Sequence, residues 1–221
     1  MTAPREHPIL FNREMVQAIL AGHKMQTRRP IKGVPDVSRL LVGDYHPVVT
    51  DRYGEAGPGP ECFGAYTEDG EWSKPCPFGA PGDLLWVREA WRQFAERPKP
   101  RDPWPDSAVV DYRADFTPED LRGGIDEYGD KFDPPKWRPS IHMPRWASRL
   151  TLRVVAVRVE RVRSISLADL RAEGVHVFEE WPHVWNGAYS APGVRWEDNP
   201  WVWVVEFERL SNDDGAAVRE R

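Results

Sequence analysis

Hydrophobic positions recur along this chain in two rhythms. After the apolar run PILF at residues 8–11, Met15, Val16, Ile19 and Leu20 fall on one helix face. That spacing predicts a strand, then a helix capped by Asn12 and ended by Gly22. The residues behind this helix are expected to be extended, because Arg29 precedes Pro30 and that position is pushed towards β or polyproline geometry. Pro81-Gly82-Asp83 is a turn signal that opens a strand over Leu84–Arg88. Residues 149–163 carry the strongest strand pattern, and their apolar set shifts from Leu150, Leu152 and Val154 to Val155, Val157 and Val159. A face that changes parity needs one extra step, so a bulge or tight coil is predicted near Val154–Val155. Ser166 caps a short helix stopped by Gly174, and Trp201, Trp203, Val205 and Phe207 share one face of a closing strand.

Two stretches break both rhythms. Residues 33–81 and 96–146 are rich in proline, glycine and charge, and are expected to be irregular insertions, apart from a strand at Val109–Arg113. The polar tail 211–221 is expected to fray. Short strands with two small helices and no βαβ alternation predict an α+β chain: a small mixed β-barrel with short flanking helices and two long insertions, one domain over residues 1–210.

Composition narrows the function classes. The formal net charge is −5, with 24 arginines against 6 lysines. An acidic excess disfavours general adhesion to a polyphosphate backbone, so any nucleic-acid role should use a local pocket. No run approaches the ~20 apolar residues that span a bilayer, and the N-terminus lacks a secretory apolar core, so no membrane contact and a cytoplasmic location are expected. Cys62 and Cys76 are too few for a disulfide framework and lack metal-ligand spacing; no metal and no cofactor are expected. Five of the eleven tryptophans lie within 181–203, either as core or as a stacking surface for bases, with Trp201 a candidate for the latter.

The densest chemistry is GHKMQTRRP, residues 22–30. Cations just beyond a helix C-terminus complement the helix dipole, which would suffice for Lys24 or Arg28. The surrounding segments say more. HPILFNREMVQAILAGHKMQTRRPI, CPFGAPGDLLWVREAW, WRPSIHMPRWASRLTLRV and NPWVWVVEFERL, in that order and with SLADLRAEG between the last two, resemble the ASCH domain family of the PUA-like superfamily. Among its members they are most similar to ASCH-type proteins of bacteriophages and prophages. The resemblance implies a PUA-like barrel whose cleft handles RNA or a modified nucleotide. Some small ASCH proteins with a similar GxKxxTxR segment are amidohydrolases on N4-acetylcytidine, using a lysine, a threonine and a glutamate. On this chain the motif positions are Gly22, Lys24, Thr27 and Arg29, and the implied glutamate is Glu173 in LRAEG.

The residue types fit either role. A lysine in a desolvated cleft beside arginines has its ammonium form disfavoured, so a neutral Lys24 could take the proton of a Thr27 nucleophile. Arg28, Arg29 or backbone N–H groups after Gly22 would hold the oxyanion, and Glu173 would orient Lys24 or relay a proton. Alternatively Arg28 and Arg29 clamp a phosphate while a tryptophan stacks on the base. Arg88 and Glu89 either pair across a sheet or point into the cleft, on opposite sides because strand residues alternate. His142 is a candidate base or ligand, or a loop hydrogen-bonder. The expectation is a reader of RNA or a modified nucleotide, then an amidohydrolase of N-acylated nucleosides, then a phage accessory protein working by protein contacts.

Overall fold

A computed structural model describes residues 3–93, 110–118, 121, 124–125, 131–132 and 136–211. The chain opens with β1 (Glu6–Leu10), α1 (Arg13–Leu20) and β2 (Gln26–Pro30), as the pattern predicts. The Asn12 side chain accepts the Met15 N–H at 2.8 Å, and α1 buries Val16 and Ile19. Gly22 closes the helix at φ +75, where a side chain would be strained.

The segment expected to be an irregular insertion at 33–81 is instead built of strands. It contains β3 (Leu41–Tyr45), β4 (Val48–Thr50), β5 (Ala56–Pro58), β6 (Cys62–Tyr66) and β7 (Ser73–Pro75). Strands β3, β6 and β7 form an antiparallel sheet, and β4 and β5 a hairpin. Leu40, Ala65 and Cys76 from this region are buried in the main core. Its strands are short and punctuated by glycine and proline, so tertiary burial, which periodicity does not register, makes them strands.

Next come β8 (Leu84–Arg88), β9 (Trp91–Gln93) and β10 (Val110–Tyr112), with β9 and β10 paired. The strand expected at Val109–Arg113 is thus present from Val110; Val109 lies outside the described residues. A short pair, β11 (Gly124–Ile125) with β12 (Lys131–Phe132), follows. The last part holds β13 (Thr151–Arg161), α2 (Leu167–Ala172), α3 (Trp181–Ala188) and β14 (Trp201–Arg209). Of the tail at 211–221, all but Ser211 lies outside the described residues.

The principal sheet has the order β1-β8-β13-β14-β2, with β1 and β8 parallel and the other neighbours antiparallel. Among the described residues no ladder joins its outer strands β1 and β2, and the architecture is α+β. Helix α1 is the chain segment that joins the two edges. Arg29 on β2 also reaches the β1 end, donating from Nη2 to the Leu10 carbonyl at 2.6 Å. The predicted bulge is present: the β13–β14 register shifts between Val154 and Ala156, leaving Val155 as the extra residue.

Two cores sandwich β14. Trp201, Trp203, Val205 and Phe207 enter the larger one with Phe11, Val16, Ile19, Leu152 and Val154. Val202 and Val204 point the other way, into a core with Val162, Ile165, Leu170, Trp181 and Trp185. Helices α2 and α3 supply that second cover. Helix α3 is absent from the sequence expectation because WPHVWNGA carries proline, asparagine and glycine. Its Pro182 sits at the helix start, where it is tolerated, and Trp181 and Trp185 are four apart on the buried face. Among the described residues no helix is long and apolar enough to cross a membrane.

Candidate functional site

A cavity of about 310 Å³ lies against β2, walled by α1, the turn after α2, and α3. Lys24, Thr27, Arg28, Arg29 and Glu173 all line it, with Met15, Ala18, Trp181, Trp185 and Tyr189 supplying apolar surface. Residues 24–29 and residue 173, far apart in sequence, meet because the C-terminus of α2 docks on the start of β2. The Met25 N–H donates to the Ala172 carbonyl at 2.8 Å, and Lys24 Nζ to the Glu173 carbonyl at 3.0 Å.

Ser166 and Asp169 cap α2 reciprocally in a capping box. Gly174, at φ +81, turns the chain back; a Cβ there would lie 3.3 Å from Ala18 Cβ and 3.5 Å from Lys24 Cβ. The glycine thus lets the turn approach both α1 and the lysine.

Lys24 and Glu173 are buried, with Nζ 2.6 Å from Glu173 Oε2. Burial pushes the Lys24 amine below its ordinary range; Arg29 and Arg28 add to that, and Glu173 opposes it. The other Glu173 oxygen accepts from Arg28 Nη1 at 3.3 Å. Arg28 Nη2 also pairs with Glu160, and with Asp169 at 3.3 Å. Asp169 in turn meets Arg158 at 2.7 Å. Burial raises the Asp169 carboxyl, but the Ser166 hydrogen bond and the charges of Arg158 and Arg28 hold it below its ordinary value. The chain Lys24–Glu173–Arg28–Asp169–Arg158, with Glu160 and Glu206 alongside it, gives each of these three cations a carboxylate partner.

Thr27 is buried, and among the described residues nothing hydrogen-bonds its hydroxyl. Arg29 donates from Nη1 to the Tyr189 hydroxyl at 3.1 Å and lies over the Phe11 ring at 5.2 Å. Tyr189 itself rests on Trp185, ring centroids 4.6 Å apart.

The other residues singled out from the sequence lie elsewhere. Gly22 ends α1 without lining the cavity. Glu89 is buried and held by Arg149, Nε to Oε1 at 2.9 Å and Nη2 to Oε2 at 3.1 Å. Burial raises its carboxyl despite that pairing. Arg88 lies over Trp86 at 5.3 Å and donates to the Ile141 carbonyl. Trp201, a candidate for base stacking, is buried in the larger core with Arg161 over its ring at 4.6 Å. His142 is exposed on a short 3-10 turn. Both cysteines are free; burial pushes the Cys76 thiol up to about 12, so it stays protonated. Among the described residues no group of acidic, histidine or cysteine side chains is arranged to hold a metal. Sequence reasoning ended a helix at Gly174 and weighed the tryptophans of 181–203 as core or stacking surface, but it singled out neither Trp181 and Trp185 nor Tyr189 for this site; the Trp181–Trp185 spacing was the signal for α3.

No family model matches the chain, and no curated protein does. Among solved structures, the crystal structure of protein EF3133 from Enterococcus faecalis V583, described under the family model DUF984, is similar at a TM-score of 0.38. It shares 10% identity, over 95% of this chain and 82% of that one.

Proposed function

We propose that this chain is an ASCH-type protein of PUA-like, barrel-derived fold whose cavity takes one N-acylated nucleoside and hydrolyses its amide. N4-acetylcytidine is the compound the resemblance implies. The reading is carried by the convergence of Lys24, Thr27 and Glu173 on one cavity in which the lysine is stripped of water. A cavity of about 310 Å³ sits at the small-molecule end of ligand sites, about 300–1,000 Å³, and suits one nucleoside rather than a polymer.

Charge favours the hydrolase over the phosphate clamp. A clamp needs the Arg28 guanidinium free, whereas it is committed to Glu160, Asp169 and Glu173. Arg29 has no carboxylate partner among the described residues, but its guanidinium is held by the Tyr189 hydroxyl and the Leu10 carbonyl, so no two-arginine clamp is free and an uncharged ligand with a carbonyl is favoured. In this mechanism the neutral Lys24 amine takes the Thr27 proton as Oγ1 attacks the acyl carbon. The resulting ammonium returns that proton to the departing amine nitrogen as the C–N bond breaks. Water, deprotonated by the same amine, then attacks the acyl carbon; the ester C–O bond breaks, the acyl group leaves as a carboxylic acid, and the Lys24 ammonium returns its proton to Thr27 Oγ1. Glu173 orients Lys24 and stabilises its ammonium form during transfer.

The test is purified protein with N4-acetylcytidine, products resolved by liquid chromatography, beside Lys24→Ala and Thr27→Ala. Turnover by wild type alone supports the reading. Binding of the nucleoside without turnover would replace it with recognition alone, of the kind that serves RNA or a modified nucleotide.

A further inference from the structure

Consecutive residues of a strand point to opposite faces, yet Thr27, Arg28 and Arg29 all line the cavity. A cavity meets three residues in a row when it lies at the strand's edge, and β2 is an edge strand. Its unpaired backbone groups therefore face the site. The ladder identifies them. The Ile31 N–H donates to the Trp201 carbonyl at 2.8 Å, and the Met25 carbonyl accepts the Phe207 N–H at 2.9 Å. Hydrogen-bonded pairs alternate along an antiparallel ladder. With Thr27 opposite Val205 and Arg29 opposite Trp203, these two residues turn their N–H and C=O groups to β14. Arg28, between them, turns its own to the free edge.

Exposure agrees. Arg28 is 3% exposed as a residue while its side chain is 0% exposed, so what remains accessible is backbone. Among the described residues nothing accepts a hydrogen bond from this N–H. The N–H groups of His23 and Lys24 both go to the Ala18 carbonyl, and that of Met25 to Ala172; Arg28 Nε and Arg29 Nε, buried without a partner, are the side-chain donors with which the Arg28 N–H competes.

We infer that the main-chain N–H of Arg28 is the oxyanion donor of the site, an inference that rests on the hydrolase reading. As Thr27 Oγ1 bonds to the acyl carbon, the carbonyl π pair moves onto oxygen and the hydroxyl proton moves to Lys24 Nζ. The new oxyanion accepts from the Arg28 N–H until the pair returns and the C–N bond breaks. The edge position leaves the donor without a ladder partner, so it stands ready before substrate arrives.

The experiment replaces the amide at position 28 by a backbone ester, installing the α-hydroxy analogue of arginine. The side chain and its three carboxylate partners stay; the N–H is lost, and the Thr27 carbonyl, now an ester carbonyl, becomes a weaker acceptor towards β14. Expected is a kcat lower by roughly 100- to 1,000-fold on N4-acetylcytidine. KM should stay within about threefold, the pattern of a contact made only in the transition state. The thermal midpoint should fall only slightly, through the weakened Thr27 carbonyl, because this N–H carries no ladder bond. The same ester at Arg29, whose N–H faces β14, should lower the midpoint further, since it removes a ladder donor outright. If the wild type turns over and the position-28 ester keeps its kcat, the oxyanion role is overturned while the hydrolase reading stands. A wild type inactive on N-acylated nucleosides overturns the reading and this role together.

Discussion

At the residue scale, the lysine decides the chemistry. Its amine titrates below the ordinary 10.5 because burial outweighs its carboxylate partner. As a base, Lys24 must be neutral, so kcat should rise with pH along a limb centred below 10.5, and Lys24→Ala should lower the rate roughly 100- to 10,000-fold and remove that limb. Stability carries the same sign. The unfolded chain holds the Lys24 proton more tightly than the folded one, so between the two titrations it binds more protons and stability rises with pH, up to 10.5. Urea midpoints of wild type and Lys24→Met, compared from neutral to alkaline pH, should converge towards the upper end. Thr27→Ser should keep measurable turnover and Thr27→Ala should not, since only the hydroxyl enters the reaction. The crowding of Lys24, Thr27, Arg28 and Arg29 was legible in the sequence, but the role of Arg28 was not. Its carboxylates Glu160 and Glu173 stand 132 and 145 residues further along, and no local pattern couples them.

At the element scale, α2 works as a short lever for Glu173. Six residues are too few for a self-sufficient helix, so it depends on its capping box and on buried Leu170. Ser166→Ala should cost about 1 kcal/mol in denaturant unfolding, as the loss of an N-cap does. Gly174→Ala should cost more than the roughly 1 kcal/mol of a left-handed alanine. Its methyl also meets Ala18 and Lys24, so activity should fall together with stability. Helices α1 and α2 were legible because each has a capping residue, an apolar stripe or both, and a terminating glycine. Helix α3 was not, since its two tryptophans are anchored by a partner core and by the Trp185 indole N–H on the Val194 carbonyl at 2.8 Å.

At the scale of the whole molecule, separate pieces are held to the sheet by ion pairs to a buried carboxylate as well as by apolar contact. Arg149 joins Glu89, at the end of β8, to Asp115 at 2.7 Å. Arg149→Ala would strand the buried Glu89 carboxylate, and a loss of about 3 kcal/mol is expected in urea unfolding, with Glu89→Gln in the same background restoring part of it. By itself the sequence determined the α+β class, the strand–helix–strand opening, the bulge at Val154–Val155, the inward face of β14 and the basic cluster behind Gly22. Each of these is written in neighbouring residues, as a period, a cap or a turn. Only the tertiary structure decided that 33–81 is a sheeted part of the core and that Trp201 belongs to packing. It alone showed that β1 and β2 are the outer strands of the five-stranded sheet, connected through α1, and that β2 lines a cavity closed by α3 and the turn after α2. Those outcomes depend on which distant surfaces exclude water together, and burial between remote segments leaves no local period to read.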